Sequence, residues 1–305
     1  MSPERVQTTV DGRELSLSNL DKVMYPSRGF TKSQVIDYYA RIADVMLPHL
    51  RRRPATFKRF PNGVDGMSFY EKHSPASAPE WVHTISVPSK DGSHDPIDYT
   101  AVDDRPTLLW AANLATLEFH VPLWKVTKGN TVPAPPDLMV FDLDPGPGTT
   151  IVECCQIAQW ISERLKGEVF AKTSGSKGLQ LYTRLSRRSS EQATEEAHDI
   201  ARAVEADHPE LVVSIMRKTL REKKVLIDWS QNNPSKTTVA VYSLRARNEP
   251  TVSTPVTWGE VSACAKRGDP DLMHFEAGEV LRRVDKFGDL MGPLTSRSSK
   301  ASTKG

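Results

Sequence analysis

The sequence predicts an α+β fold with mixed β-sheets flanked by helices, and three observations carry that reading. Strand-like segments are short, five to seven residues each, and rich in β-branched and aromatic side chains. Helical segments carry their own start signals, either a Thr with Gln or Glu three residues on, or a Pro at the first turn. Between residues 138 and 244 the order is strand, helix, strand, hairpin-like strand, helix, then three strands. That succession lacks the regular alternation of a doubly wound sheet.

Each element has a local reason. Thr31 and Gln34 form a capping box for a helix over 31–50, whose apolar stripe is Val35, Tyr39, Ile42 and Met46, widened by Ile36 and Ala43. Two or three short strands are expected between 54 and 100. Pro106 suits the first turn of a helix over 106–118. The run LMVFDLD (138–144) reads as a strand stopped by Pro-Gly-Pro-Gly. Thr150 and Glu153 cap a helix that runs to Lys166 and stops at Gly167. Strands follow at 168–174 and 179–185, then a helix over 190–206 with Ala193, Ala197, Ile200, Ala201 and Val204 inward. Further strands are expected at 212–216, 225–230 and 238–244. No internal repeat is present, and from Thr295 the chain reads TSRSSKASTKG, so that 293–305 is expected to be a disordered basic tail.

Composition narrows the class. The chain has 305 residues, 38% hydrophobic and 26% charged, which is ordinary for a globular protein. No run of 18 apolar residues exists to span a bilayer, and the N-terminal stretch has no secretory apolar region. Cys154, Cys155 and Cys264 lack metal-ligand spacing, so a reduced, cytoplasmic setting without a membrane partner is expected. Net charge is only +2, yet residues 51–60 carry five basic side chains and no acid, and 216–225 carry five against one Glu. Clustered positive charge in a near-neutral chain points to an oriented surface for a polyanion.

The chemistry concentrates in three stretches. Asp142 and Asp144 lie at the end of a buried strand, and residues i and i+2 of a strand face the same way. Asp before Pro-Gly is also ordinary turn chemistry, but a carboxylate inside an apolar run is costly unless a cation answers it. Oxygen ligands suit Mg²⁺ or Mn²⁺. Asp228 occupies a second apolar strand, and three carboxylates on two neighbouring strands can hold two ions about 4 Å apart, as phosphoryl and nucleotidyl transfer require. Between two strands, KTSGSKG (172–178) forms a turn whose amides, Ser174 and Ser176 hydroxyls and Lys177 ammonium can meet an anion. It lacks the spacing of a Walker A loop.

DLDPG, TSGSKG and DWSQN, in that order, resemble the three catalytic motifs of the archaeo-eukaryotic primase superfamily. The likeness is to the polymerase domain of bacterial end-joining ligase D and its stand-alone primase-polymerase relatives, and it extends through LSNLDKVMYP, RRRPATFKRFPNGVDG, LEFHVPLW and SKTTVAVYSLRAR. It implies a primase-polymerase architecture with an RRM-like catalytic core over about 131–292, preceded by a DNA-binding part over about 1–130. The implied activity is template-directed nucleotidyl transfer, filling short gaps and extending 3′ ends in DNA repair, with ribonucleotides preferred. Asp142, Asp144 and Asp228 match the metal ligands. Ser176, Lys177, His120, Gln231 and Arg245 match the grip on the nucleoside triphosphate, and Phe69 and Tyr70 match rings that stack on a base. Lys22 and Lys32 match a pocket for the 5′-phosphate of a downstream strand, Lys58 and Arg59 a template-facing basic pair, and Lys218 and Arg221 a mobile loop.

Implied partners are gapped or broken DNA carrying a 5′-phosphate, NTP or dNTP, and a DNA ligase supplied in trans, since no Lys-x-Asp-Gly signature occurs in the sequence. The implied setting is the nucleoid. Taken singly, several of these residues have plainer readings. His120 could be a core histidine at a helix end, and on a strand Phe69 and Tyr70 cannot both face the core, so one should be exposed. The other class of reading is a module that binds 5′-phosphorylated ends and recruits a ligase. A phosphohydrolase or glycosyltransferase would leave the basic clusters and paired aromatics without a use.

Overall fold

The computed structural model describes residues 5–88, 95–127, 133–186 and 188–295. A hairpin of β1 (Arg5–Val10) and β2 (Arg13–Ser18) leads into the small ladder of β3 (Val23–Tyr25) and β4 (Phe30–Thr31). Helix α1 (Lys32–Leu50) follows, started by the expected capping box of Thr31 and Gln34. Next come β5 (Pro54–Arg59), β6 (Phe69–Glu71), β7 (Thr84–Val87), β8 (Ile97–Ala101), α2 (Arg105–Asn113) and β9 (Thr116–Val121). The second half holds β10 (Leu138–Pro145), α3 (Ile151–Arg164), β11 (Val169–Thr173), β12 (Leu179–Arg184), α4 (Ser190–Asp207), β13 (Val212–Val213) and β14 (Val225–Asp228). Then β15 (Thr238–Val239), β16 (Pro255–Val256), α5 (Trp258–Arg267) and α6 (Ala277–Phe287) complete it.

Two larger sheets organise these elements. One runs β13-β14-β10-β12-β11-β16, antiparallel except for the β13–β14 pair. The other runs β15-β9-β5-β8-β7, with β6 also paired to β5. Sheets of mixed order with helices packed on them make the α+β class expected from the sequence. A single large core joins the two sheets, and no helix among the described residues is long and apolar enough to cross a membrane.

Buried tyrosines on α1 fasten the helix to segments that carry functional side chains. Tyr38 donates its hydroxyl hydrogen to Tyr242 O at 2.8 Å, and Tyr39 donates to Leu117 O at 2.7 Å while accepting from Leu244 N at 3.0 Å. On β3, Tyr25 donates to Arg245 O at 3.0 Å. A buried phenol needs such a partner, and here the partners fix the backbone at residues 242–245.

Four boundaries differ from the sequence expectation. The helix expected over 106–118 ends at Asn113, because Ala115 takes a positive φ of 62° and TLEFHV continues as β9. The strand expected over 225–230 stops at Asp228, whose side chain accepts from Ser230 N and caps a 3₁₀ turn over Trp229–Asn232. The strand expected over 238–244 stops at Val239, since Tyr242 has a φ of 65° that no ladder permits. Of 212–216, only Val212–Val213 pairs. Helices α5 and α6 were not anticipated, although Thr257 and Glu260 form a capping box and Gly268 closes α5 in the left-handed region. Of the tail expected over 293–305, the first residues are ordered: Gly292–Leu294 form a 3₁₀ turn with Leu294 buried, and 296–305 lie outside the described residues.

Candidate active site

The β10–β14 ladder sets Asp142 directly opposite Asp228, with Asp144 two residues along β10 opposite Leu226. Cross-strand partners project from the same face, as do residues i and i+2. All three carboxylates therefore share one face of the central sheet. On its other side Asp142 is opposite Gln180 of β12. Desolvation by the cleft walls, then the charge of Asp144, push the Asp142 carboxyl up to about 7, with Asp228 adding to it and a hydrogen bond from Gln180 opposing it. Asp144 is raised too, by desolvation and by Asp228.

The carboxylates are supported unequally. Asp228 is buried and fully engaged: Oδ1 accepts from Ser230 N at 3.0 Å and Ser230 Oγ at 2.6 Å, and Oδ2 accepts from Gln231 Nε2 at 2.8 Å. Asp142 Oδ1 is buried with no hydrogen-bond partner. An orphaned carboxylate oxygen beside two more carboxylates is what a hard divalent cation would satisfy, so the donor set fits Mg²⁺ or Mn²⁺. Among the described residues, the metal-capable group whose donor atoms all lie within 4.8 Å of one another is elsewhere, at Glu249, His274 and Glu276. There Arg28 already supplies the positive charge, with Nη2 2.5 Å from Glu249 and 2.8 Å from Glu276.

A cleft of about 400 Å³ opens over Asp142 and Asp144. It is also lined by His120, Ser176, Lys177, Gln231 and Arg245, and further by Arg221, so the expected triphosphate residues converge on one cavity with Asp142 and Asp144, while Asp228 is joined to it through Gln231. The turn after β11 is built by Gly175, at a φ of 65°, where an added Cβ would meet Val252 C at 2.6 Å and Arg245 Cγ at 2.7 Å. Its amides are less available than the sequence suggested. Ser174 Oγ accepts from Ser176 N at 3.2 Å and from Gly178 N at 3.1 Å, which leaves the exposed Ser176 hydroxyl and Lys177 ammonium to face a ligand.

His120 lies on strand β9, not at a helix end, and lines the cleft. Its Nε2 is 2.9 Å from Glu118 Oε2, while Glu118 Oε1 accepts from Ala246 N at 3.0 Å and lies 3.4 Å from Arg245 Nε. Burial alone would raise Glu118, but the hydrogen bond from His120 and the Arg245 charge hold its carboxyl well below the usual range. Burial lowers His120 in spite of that partner. Arg245 Nη1 also donates to Ser174 O, joining this group to the phosphate-side turn.

Phe69 and Tyr70 are both exposed, 45% and 59%, so neither ring faces the core. Strand β6 is an extra strand hung on β5, and neither of its faces is covered. Tyr70 meets His120 edge to face, ring centroids 5.7 Å apart, and Lys58 Nζ stands 5.4 Å from the Tyr70 ring. Arg59 is tied down, with Nη1 on Glu71 at 3.0 Å and Nε on Leu114 O at 2.8 Å, and with its guanidinium 5.3 Å from the Phe69 ring.

Outside the cleft, Lys22 Nζ donates to Pro61 O at 2.7 Å and Asn62 Oδ1 at 3.1 Å, and the buried Lys32 donates to Ser18 O at 2.6 Å. Burial, then the charges of Lys22 and Arg59, bring Lys32 down to about 8, so these three cations share one electropositive region. Lys218 is exposed on a 3₁₀ turn over Lys218–Leu220, and Arg221 donates to Met216 O at 2.8 Å.

Sequence reasoning missed three supporting residues. Lys172 is fully buried, donates to Gln180 Oε1 and Ser253 Oγ, and its charge favours the ionised form of Asp142. Gln180 lines the cleft, and Glu118 organises His120 and Arg245. Glu118 and His120 lie i and i+2 on one strand, a spacing that marks a shared face, whereas Lys172 carries no local signal.

Comparison with known proteins places this geometry. Residues 31–291 match the family model described as LigD, primase-polymerase domain. The chain is 45% identical over 282 residues to the multifunctional non-homologous end joining protein LigD of Mycolicibacterium smegmatis, covering 91% of this chain and 36% of the relative. It is 32% identical over 280 residues to the bifunctional non-homologous end joining protein LigD of Bacillus subtilis, covering 90% of this chain and 43% of that protein. The solved polymerase domain from Mycobacterium tuberculosis Ligase D in complex with DNA superposes with a TM-score of 0.86 at 44% identity, covering 92% of this chain and 98% of that one. The chain belongs to the LigD primase-polymerase domain family, a class of template-directed nucleotidyl transferases. It spans about a third of the length of the mycobacterial relatives it matches.

Proposed function

We propose that this chain is a DNA-directed primase-polymerase that fills short gaps and extends 3′ ends during end joining, by nucleotidyl transfer at the aspartate cleft. The observation that carries this reading is the in-register Asp142–Asp228 pair with Asp144 beside it, under a cleft walled by cations. Asp142, Asp144 and Asp228 would hold two divalent ions, Mg²⁺ or Mn²⁺, and such ions would supply Lewis-acid activation of a hydroxyl and charge neutralisation at phosphate oxygens.

The chain's own residues do the positioning. Ser176 and Lys177 grip the triphosphate from the β11–β12 turn, and His120, Gln231 and Arg245 hold it from the facing walls. Glu118 keeps His120 and Arg245 aimed into the cleft, since a charge-assisted contact to each restricts both side chains. Gln231, fixed on Asp228, couples the nucleotide grip to the side where the 3′-hydroxyl is held. Tyr70 and Phe69 stack on the templating or incoming base, a sequence-tolerant contact. Lys22 and Lys32 take the 5′-phosphate of a downstream strand, Lys58 and Arg59 face the template, and Lys218 with Arg221 orders the site from the adjoining turn. In this reading 1–130 is the DNA-binding part and 131–292 the catalytic part, acting in the cytoplasm on nucleoid DNA, with ribonucleotides preferred. Sealing falls to a DNA ligase activity outside these residues.

Primer extension with Mn²⁺ on a gapped, 5′-phosphorylated duplex tests the reading. Template-directed addition across the gap is the expected result. Tight binding of the phosphorylated end without any addition would support the end-binding module instead.

A further inference from the structure

A second cavity, of about 380 Å³, lies beside the aspartate cleft and shares Thr237 with it as a wall. The rings of Trp124 and Tyr99, the aliphatic chains of Ile97 and Val87, and five prolines line it. Among the described residues, its charged lining side chains are two lysines, Lys72 and Lys236. The Trp124 indole is buried and donates to Pro234 O at 2.8 Å, which fixes the part of the ring that lines the cavity. Tyr99 is half-buried on β8. Apolar and aromatic walls with two cations among the described lining residues match a nucleobase carrying a phosphate better than a cationic ligand.

The position of this cavity selects the strand. Lys236 Nζ donates to Ser230 Oγ, and Ser230 Oγ donates to Asp228 Oδ1 at 2.6 Å. The cavity is thus connected through two side chains to the carboxylate proposed to serve the primer terminus. We propose that it takes an unpaired nucleobase of the strand being extended, stacked on Tyr99 and Trp124, with the adjoining phosphate on Lys72 and Lys236. The identity of the strand rests on the polymerase reading, whereas occupancy by a single-stranded base does not. Such a pocket would hold a frayed or non-complementary 3′ tail clear of the cleft.

The test uses the whole chain without divalent metal and a duplex whose primer bears a short unpaired tail with 5-iodouracil. Irradiation should cross-link the tail to peptides containing Tyr99 or Trp124. Tyr99→Ala should weaken binding of the tailed duplex about ten-fold, Tyr99→Phe should restore it, and Lys72→Glu, on an exposed side chain, should weaken it and flatten its salt dependence. A fully paired gapped duplex should bind all three variants as it binds the parent. Cross-links confined to other peptides, or unchanged affinity in both Tyr99→Ala and Lys72→Glu, would overturn the assignment. Loss of tail binding in a chain that adds no nucleotide would keep the pocket and remove the polymerase reading.

Discussion

Asp142 and Asp228 are cross-strand partners, one on each side of the β10–β14 ladder, facing the same way. Like charges directly opposite one another destabilise a sheet, and Asp144 adds a third on the same face. The arrangement costs stability in the free chain, a cost that cations bound beside the carboxylates would offset.

That cost has a sign. Asp142 has its folded pKa raised to about 7, far above its unfolded value. The stability this shift represents is present below pH ~4 and is lost as pH rises through about 7. Asp142→Asn should therefore stabilise the metal-free chain at pH 8 by about 1–3 kcal/mol while abolishing nucleotide addition and sparing DNA binding. Urea titrations at pH 5 and pH 8 check it. Equal effects at the two pH values would show that ionisation of the buried Asp142 carboxyl is not the cause.

Divalent cations should relieve the same strain. Mn²⁺ at millimolar concentration should raise the melting temperature of the parent chain more at pH 8 than at pH 5, since protons compete for the carboxylates at the lower pH. Asp142→Asn should lose most of that rise. Differential scanning fluorimetry with and without Mn²⁺ reads both.

Glu118 sits behind the nucleotide grip. Glu118→Gln removes the charge that orients His120 and Arg245, so KM for the nucleoside triphosphate should rise at least ten-fold with a smaller change in kcat. Stability should fall by about 1–3 kcal/mol, because the half-buried Arg245 is left beside a neutral amide. If steady-state kinetics showed a drop in kcat alone, Glu118 would not be acting through the ground-state grip.

Lys32 gives a pH test of the 5′-phosphate pocket. Its folded pKa is lowered to about 8, and only the ammonium form binds a phosphate strongly. Preference for a 5′-phosphorylated over an unphosphorylated gap should decline as pH rises through about 8, and Lys32→Ala should remove both the preference and its pH dependence. Competition binding across pH 7 to 9 measures this, and a flat profile in the parent chain would place the phosphate elsewhere.

The exposed aromatic pair should act through stacking. Tyr70→Ala should weaken binding of the incoming nucleotide by about 1–2 kcal/mol, and Tyr70→Phe should be close to neutral. An equal loss in both variants, read by single-turnover titration, would assign the effect to the phenolic hydroxyl.

Much of this was legible in the chain itself. Capping boxes at Thr31 and Thr150 placed two helices because the signal is local, and the apolar runs around Asp142 and Asp228 marked strands that became neighbours. Where sequence reasoning ran long, a single backbone residue decided: Ala115 and Tyr242 adopt left-handed conformations that their residue types do not announce. The hidden parts of the site are those made by tertiary contact. Lys172 reaches Gln180 and Ser253, which is 81 residues away in the chain, and only the ladder order brings these together. Likewise Ser174 accepts from the amides expected to face an anion, an outcome that depends on how tightly Gly175 packs against Val252 and Arg245.

The most direct measurement is anomalous diffraction from crystals of the chain grown with Mn²⁺ and a non-hydrolysable nucleoside triphosphate. Two manganese peaks in contact with Asp142, Asp144 and Asp228, bridged to the triphosphate, are the expected result. Manganese found only at Glu249, His274 and Glu276, or none beside the aspartates, would contradict the central claim.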